Sequence, residues 1–182
     1  MAQDEDTARS ADAAGADDAA GDDDATGGDD AALADARRAL AAGVPAEAER
    51  ILRAVLATRP DEREALHLCG FALYLLDRSA EAEPLCRRAV ALYPDDAYGW
   101  SGLGLHLVRL GQGDEGFRAL ERAMELAPDW LDGYWDYLVT CLDRNERARF
   151  WRMHPVALAR FPGARARLAA LAVRARAVLG GE

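Results

Sequence analysis

The chain contains no lysine, so all 22 of its basic residues are arginine. Lysine and arginine are not chemically equivalent, and the absence of one of them from 182 residues indicates a compositional bias rather than selection at each site. Long apolar runs are missing too, because no stretch of eighteen consecutive apolar residues occurs. The opening residues, MAQDEDTARSADAAG, lack the basic leader and apolar core of a signal peptide. The sequence therefore predicts a soluble, cytoplasmic protein.

Residues that carry catalysis or bind metals are few and scattered. The three cysteines form no CxxC pair, which favours reduced, buried thiols. The three histidines, His67, His106 and His154, are too far apart for an i, i+4 metal pair, and no HExxH is present. We therefore expect neither an enzyme nor a metal or cofactor site.

The net charge of −10 is unevenly distributed along the chain. Residues 1–30 carry −10, residues 31–143 carry −7 and residues 144–182 carry +7. Residues 1–29 contain no aromatic residue and no Leu, Ile or Val, so they cannot bury enough apolar surface to fold and are predicted to be disordered. This acidic tail has two interpretations: a solubilising segment, or an arm that competes for a basic surface.

Five glycines lie between Gly99 and Gly113, which raises the question of a phosphate-binding loop. A dinucleotide loop needs G-x-G-x-x-G after a strand. Here Leu107 stands at the third glycine position, a proline turn precedes the segment, and no GK[ST] follows it. The nucleotide interpretation fails.

An internal repeat of fixed period accounts for these glycines instead. It is marked by the equally spaced prolines Pro60, Pro94, Pro128 and Pro162. Small and apolar residues recur between the prolines, as in Trp100, Leu103, Gly104, Leu107, Gly116, Leu120 and Ala123, and one repeat earlier in Leu66, Cys69, Gly70, Leu73, Ala82, Cys86 and Ala89. In period and residue type this pattern, over about residues 30–162, resembles the tetratricopeptide repeat. Gly70 and Gly104 are then packing residues, placed where a neighbouring helix approaches closely.

The resemblance implies an all-α fold, a tetratricopeptide-type α-solenoid of three repeats plus a degenerate fourth helix pair and a C-terminal capping helix. We expect helices near residues 31–42, 45–58, 61–76, 79–92, 95–110, 113–126, 129–142, 145–160 and 163–179. Residues 30–162 form the repeat domain and residues 163–182 the cap. Trp100 should be buried, and Pro155 should kink or split its helix near Met153.

In the family that this chain resembles, the first helix of each repeat lines a concave groove that holds a peptide. Carried onto this sequence, the groove residues are Leu33, Arg37, His67, Phe71, Tyr74, Tyr98, Ser101, Leu105, Val108, Trp135 and Val139. Packing between repeats is an equally weighted interpretation of the aromatic residues. The Lys/Asn/Arg set with which some relatives hold a C-terminal carboxylate is absent, so an apolar or helical peptide is favoured.

The predicted function is a protein-interaction scaffold whose partner is a protein or peptide, not nucleic acid and not a membrane. Two alternatives stay open. The chain is a self-assembling subunit that forms a homo-oligomer through its C-terminal helix, or a chaperone-like accessory subunit of a secretion system or an enzyme. The last helix motivates the first alternative, because the face opposite its core stripe is also apolar, with Ala166, Ala169, Ala170, Val173 and Ala177.

Overall fold

The computed structural model describes residues 23–180, and within this range the chain forms nine α-helices and one short 3-10 turn. The helices are α1 (Asp23–Ala41), α2 (Pro45–Thr58), α3 (Arg63–Leu75), α4 (Ser79–Leu92), α5 (Ala97–Arg109), α6 (Gly113–Leu126), α7 (Leu131–Asp143), α8 (Arg147–Arg160) and α9 (Arg165–Leu179). The 3-10 turn (Pro162–Ala164) precedes α9. The all-α prediction is confirmed, and no strand occurs in the described range. None of these helices combines the length and apolar character that a bilayer-spanning segment needs.

The predicted helix boundaries agree with the structure to within two residues, except at the start of α1. This helix begins at Asp23 rather than at residue 31, so residues 23–29 of the predicted disordered tail are helical. The remainder of the predicted tail, residues 1–22, lies outside the described residues.

The turn between the two helices of each pair has the same backbone conformation four times. The residue with positive φ in each turn is Gly43 (72°), Asp77 (57°), Gly111 (82°) and Asn145 (58°), and successive positions are separated by one repeat period. Each turn closes with two backbone hydrogen bonds of the Schellman type, such as Arg78 N–H to the Leu73 carbonyl at 2.9 Å. The fourth helix pair is therefore degenerate in its side chains but regular in its backbone.

The pairs stack so that the first helices form one side of the array. Each first helix contacts the next, α1 with α3, α3 with α5, α5 with α7 and α7 with α9. Within residues 23–180 the backbones of the second helices α2, α4, α6 and α8 do not approach one another as closely, and long side chains join them, as in the ion pairs Arg53–Glu81 and Arg87–Glu115. Since neighbours are closer on the side of the first helices, that side is the concave face.

Small residues bring the two helices of the central pair into backbone contact. A Cβ atom added to Gly104 on α5 would lie 2.8 Å from the Gly116 carbonyl oxygen, and one added to Gly116 on α6 would lie 2.8 Å from the Gly104 carbonyl oxygen. The alanines predicted to allow close packing, Ala82, Ala89 and Ala123, are also buried. Gly104 and Gly116 are thus packing residues, because they allow the backbones of α5 and α6 to come into contact.

Two expectations about single residues need correction. Trp100 is half-buried rather than buried, because its ring lies beside the core and its indole N–H donates to the Pro94 carbonyl at 2.8 Å. Helix α8 is not split, since it runs through Pro155 to Arg160. Pro155 lies on the exposed side of the helix, where solvent can hydrate the carbonyl that loses its amide partner.

Helix α9 covers the end of the array. Its buried stripe consists of Leu168, Leu171, Ala172, Ala175 and Leu179, as predicted except that Val178 is exposed. The alanines of the opposite face and Val173 are exposed. Self-association through that face stays a prediction.

Candidate functional site

A pocket of about 320 Å³ opens on the concave face between α3, α5 and α7. Gly70, Gly99 and Gly102 lie in its wall, together with Cys86 and Ala89 from α4. A Cβ atom at Gly102 would have only the Cys86 sulfur, at 3.8 Å, within contact distance. These small residues leave a depression between the helices, and the size is in the lower range of pockets that hold ligand groups.

Of the eleven predicted groove residues, six line this pocket, three lie outside it and two do not reach the concave surface. The six are His67, Phe71, Tyr74, Tyr98, Ser101 and Leu105. Phe71 and Tyr98 are exposed at 51% and 63%. The Tyr98 ring lies 4.5 Å from the Trp130 ring, centroid to centroid. Two aromatic side chains therefore stand at the rim of an apolar pocket with much of their surface in solvent.

The other three candidates lie outside the pocket. Arg37 is exposed on α1 and forms an ion pair with Glu64. Trp135 and Val139 pack against the core of the C-terminal half, with the Arg167 guanidinium 3.8 Å above the Trp135 ring. Trp135 and Val139 lie outside the pocket because α9 covers the part of α7 that carries them.

Two further residues carried over from the family pattern do not reach the concave surface. Leu33 and Val108 are 4% and 3% exposed, and both belong to the core. Val108 packs under α6 at the point where Gly116 allows close approach. Neither side chain can contact a partner in this structure.

Tyr74 is held in place by the next repeat. The Arg109 guanidinium lies 3.6 Å from the centre of its ring, and Arg109 also donates to the Tyr74 carbonyl and to Asp77. The edge of the Tyr74 ring meets His106. The second interpretation of the aromatics, packing between repeats, therefore describes Tyr74, whereas Phe71 and Tyr98 have exposed surface to offer.

His106, at the base of the pocket, is a structural residue. It is 1% exposed, with Nε2 3.2 Å from the Gly70 carbonyl and Nδ1 3.1 Å from the Ser79 hydroxyl. Because a carbonyl can only accept, Nε2 carries the proton and Nδ1 accepts from Ser79. Burial lowers the pKa of His106 to about 4. The ring is therefore neutral and ties α3, α4 and α5 together.

His67 is half-buried in the pocket wall. Its Nε2 atom lies 3.3 Å from Oδ2 of Asp96, but the geometry forms no hydrogen bond. The same Asp96 side chain caps α5 by accepting from the Tyr98 amide at 3.0 Å. Burial lowers the pKa of His67, with Asp96 acting in the opposite direction. His67 is thus mainly neutral near pH 7 and contributes a stacked ring beside Tyr98.

Asp136 is a pocket residue that sequence reasoning missed. It is half-buried on α7, and Ser101 donates a long hydrogen bond of 3.5 Å to its Oδ2 atom. Burial, aided by the nearby Asp132, raises the pKa of Asp136 to about 6, against the opposing effects of Ser101 and Arg167. The repeat contained a signal for it, because Leu68, Gly102 and Asp136 occupy the same position in successive repeats and all three line the pocket.

The described residues contain no group of three or more His, Cys, Asp or Glu side chains placed to hold a metal ion. The three cysteines are buried and unpaired. Burial raises the pKa of Cys69 to about 11 and those of Cys86 and Cys141 to about 12. They are therefore protonated thiols at neutral pH and poor nucleophiles.

Comparison with known proteins gives a consistent picture of the fold. A family model described as tetratricopeptide repeat matches residues 39–105. No curated protein sequence matches the chain. Among solved structures, a mutant O-GlcNAc transferase from Thermobaculum terrenum superposes with a TM-score of 0.68 and 30% identity over 75% of this chain. The chain spans only 26% of the length of that transferase.

Two solved proteins of similar size share the fold along most of their length. A thermophilic tetratricopeptide repeat protein from Thermus thermophilus has a TM-score of 0.68 and 20% identity, covering 80% of this chain and 82% of its own. YrrB, described as having an unusual peptide-binding site, has a TM-score of 0.65 and 21% identity, covering 82% of this chain and 76% of its own. At these identities the likeness establishes the fold alone.

Proposed function

We propose that this chain, which matches the tetratricopeptide repeat model over residues 39–105 and shares the fold of solved tetratricopeptide repeat proteins, is a non-catalytic scaffold that holds an apolar peptide segment of a partner protein in the concave pocket. One observation carries the proposal: Phe71 and Tyr98 stand half to two-thirds exposed at the rim of an apolar depression. Exposed aromatic residues around a pocket are the usual anchors of protein recognition.

The energetic reason is the apolar surface that a partner would cover. Removing apolar surface from water is worth about 25 cal/mol per Å², and aromatic side chains offer large contact area with little loss of conformational freedom. Tyr98 is already positioned by Trp130 and His67. The pocket is therefore largely pre-organised, which reduces the entropic cost of binding.

The comparison structures support a binding role without identifying the partner. YrrB is described as a protein of the same fold with a peptide-binding site, and by analogy the pocket here is a place for a peptide. The accessory-subunit alternative is a special case of this proposal, in which the bound segment belongs to an enzyme or a secreted protein.

A catalytic role is not favoured by the polar groups in the pocket. Ser101 donates to Asp136, whereas His67 lies next to Asp96, and within the described residues no hydrogen bond joins His67 to Ser101. A hydroxyl nucleophile needs a base within about 2.6–3.2 Å, and the Asp136 carboxylate, at 3.5 Å from the Ser101 hydroxyl, lies beyond that range. The likeness to a transferase covers only a quarter of that enzyme, and it is the repeat fold that is shared.

The test is a quantitative pull-down that compares wild type with the double variant Phe71→Ala/Tyr98→Ala, with bound proteins identified by mass spectrometry. Each partner that depends on the pocket is then purified and its Kd measured. The matched control is Leu92→Ala/Val173→Ala, which removes exposed apolar side chains outside the pocket.

We expect the pocket variant to lose its partner by tenfold or more in affinity and the control variant to retain it. Circular dichroism establishes that both variants are folded. Equal recovery of every partner by the folded pocket variant and by wild type would contradict pocket binding.

A further inference from the structure

Within the described residues, the half-buried Asp136 side chain has no arginine at ion-pair distance, unlike the buried carboxylate of Glu49. Glu49, which is 8% exposed, pairs with Arg53 at 2.7 Å and with Arg78 at 2.6 Å. For Asp136 the structure shows one hydrogen bond, the long contact from Ser101. An ionised carboxylate can accept about four hydrogen bonds, so this one retains unused capacity toward the pocket that it lines.

Arg167, whose charge acts on Asp136, makes its contacts with other residues. Arg167 of α9 lies over the Trp135 ring, and its ion pair is with Asp132, at 3.8 Å from Nη1 to Oδ1. Arg109, the last residue of α5, is occupied by Tyr74 and Asp77. Neither of these arginines forms an ion pair with Asp136 within the described residues.

We infer that the pocket selects a peptide segment that combines an apolar residue, packed against Phe71 and Tyr98, with an arginine or lysine that pairs with Asp136. The inference rests on the proposed function and specifies the chemistry of the partner. A cationic side chain would supply the charge-assisted hydrogen bonds that Asp136 lacks. It would do so in an environment where such bonds are stronger than in water.

The charges around the pocket favour a cationic over an anionic segment. Asp132 lies on the same helix as Asp136, and Asp96 is at the His67 side of the pocket; each has one arginine at long ion-pair distance, Arg167 at 3.8 Å and Arg63 at 3.9 Å. Residues 31–143, which include all the pocket residues, carry a net charge of −7. Complementary charge of this kind speeds encounter and penalises partners of the wrong sign.

The cationic segment also explains why an apolar pocket contains a carboxylate at all. Burying an unpaired charge is unfavourable. This cost favours the protonated form of Asp136 and therefore raises its pKa. A bound guanidinium or ammonium group would reverse the shift. Binding should therefore strengthen from pH 5 to pH 7, because the Asp136 carboxyl group loses its proton over this range. The charged and polar groups that act on this carboxyl are Asp132, Ser101 and Arg167.

The experiment uses a synthetic library of acetylated and amidated nonapeptides, with leucine fixed at the centre and all other positions varied, selected on the immobilised full chain. We expect enrichment of arginine or lysine at a constant spacing from the leucine. The best peptide is then resynthesised with citrulline, the neutral isostere of arginine, in place of the selected cation. Both peptides are titrated against wild type, Asp136→Asn and the control Asp143→Asn, which changes an exposed aspartate at the end of the same helix.

We expect Asp136→Asn to weaken the arginine peptide at least tenfold, to leave the citrulline peptide unchanged and to abolish the pH dependence, while Asp143→Asn behaves as wild type. Enriched peptides without a cation, or equal binding of the arginine and citrulline peptides, would overturn the inference and leave the proposed function standing. If no peptide binds wild type better than it binds Phe71→Ala/Tyr98→Ala, the proposed function is wrong, and this inference with it.

Discussion

The contact between Gly104 and Gly116 makes a sharp prediction for the substitution Gly116→Ala. The added Cβ atom would lie 2.5 Å from Cγ2 of Val108, 2.8 Å from the Gly104 carbonyl oxygen and 2.9 Å from the Val108 amide nitrogen. A side chain can rotate away from such a contact, but two of these three atoms belong to the backbone. Helices α5 and α6 must therefore separate.

The size of the effect follows from two opposing contributions. Overpacking in a close contact costs about 1–3 kcal/mol, and replacing glycine by alanine inside a helix returns about 0.5–1 kcal/mol. The expected loss in the free energy of unfolding is about 1–2 kcal/mol, which lowers Tm by about 2–8 °C for a domain of this length. Urea unfolding followed by circular dichroism measures it.

Two control substitutions separate packing from backbone effects. Gly113 is the first residue of the same helix and would have no atom within 4 Å of an added Cβ, so Gly113→Ala should be neutral or slightly stabilising. Gly111 also has open space but a φ of +82°, so Gly111→Ala should cost about 1–2 kcal/mol from conformation alone. If Gly116→Ala unfolds at the same urea concentration as Gly113→Ala, the backbone contact between α5 and α6 does not exist as described.

Three further predictions concern the core and the end of the array. The pKa of His106 is depressed to about 4 in the folded chain, from 6.5 in the unfolded chain. The unfolded chain thus binds more protons between these values, and stability should fall by about 2–4 kcal/mol as pH drops from 6.5 to 4. The variant His106→Gln should show a smaller fall in urea titrations at the two pH values, and an equal fall would contradict this assignment. Phe150→Ala should lower the free energy of unfolding by about 3–5 kcal/mol because the ring is fully buried, and a loss below about 1 kcal/mol in urea unfolding would refute that. If α9 mediates self-association, sedimentation velocity should show a coefficient that rises with concentration and that Val173→Arg makes constant. A constant coefficient for wild type would remove the self-assembly alternative.

The repeat pattern predicted the helices because each boundary depends on local signals that recur once in every repeat. A turn residue at Gly43 or Gly111 and a proline after the second helix are sufficient to place a helix pair. Asp77 and Asn145 take the same left-handed turn conformation without glycine, and the spacing rather than the residue type identifies them.

The residues that line the pocket were predicted only in part. Whether a side chain reaches the pocket depends on where neighbouring positions lack a side chain as well as on where they have one. Asp136 reaches the pocket since Gly102, its equivalent on the neighbouring first helix, has no side chain to fill the space. Trp130 is the N-cap residue of α7 and is equivalent to Asp96, the N-cap residue of α5. From this position its ring packs against the Tyr98 ring. One repeat contains only one first helix, so the sequence of a single repeat cannot indicate a cavity that the first helices of three successive repeats form together.

The fourth helix pair differs from the others at a packing position of its second helix. Ala48, Ala82 and Gly116 occupy equivalent positions on the second helices, and Phe150 replaces them in the fourth pair. A phenylalanine cannot allow the close approach that glycine permits, and its ring is completely buried and stacks on His154. His154 in turn donates from Nε2 to the Leu168 carbonyl at 3.0 Å.

Helix α9 accordingly begins one repeat period after α7 and packs on it as the first helix of a fifth unit would, but no second helix follows within the described residues. The outer face of α9 carries small, exposed alanines. The pocket lies between α3, α5 and α7, so three first helices in succession surround it.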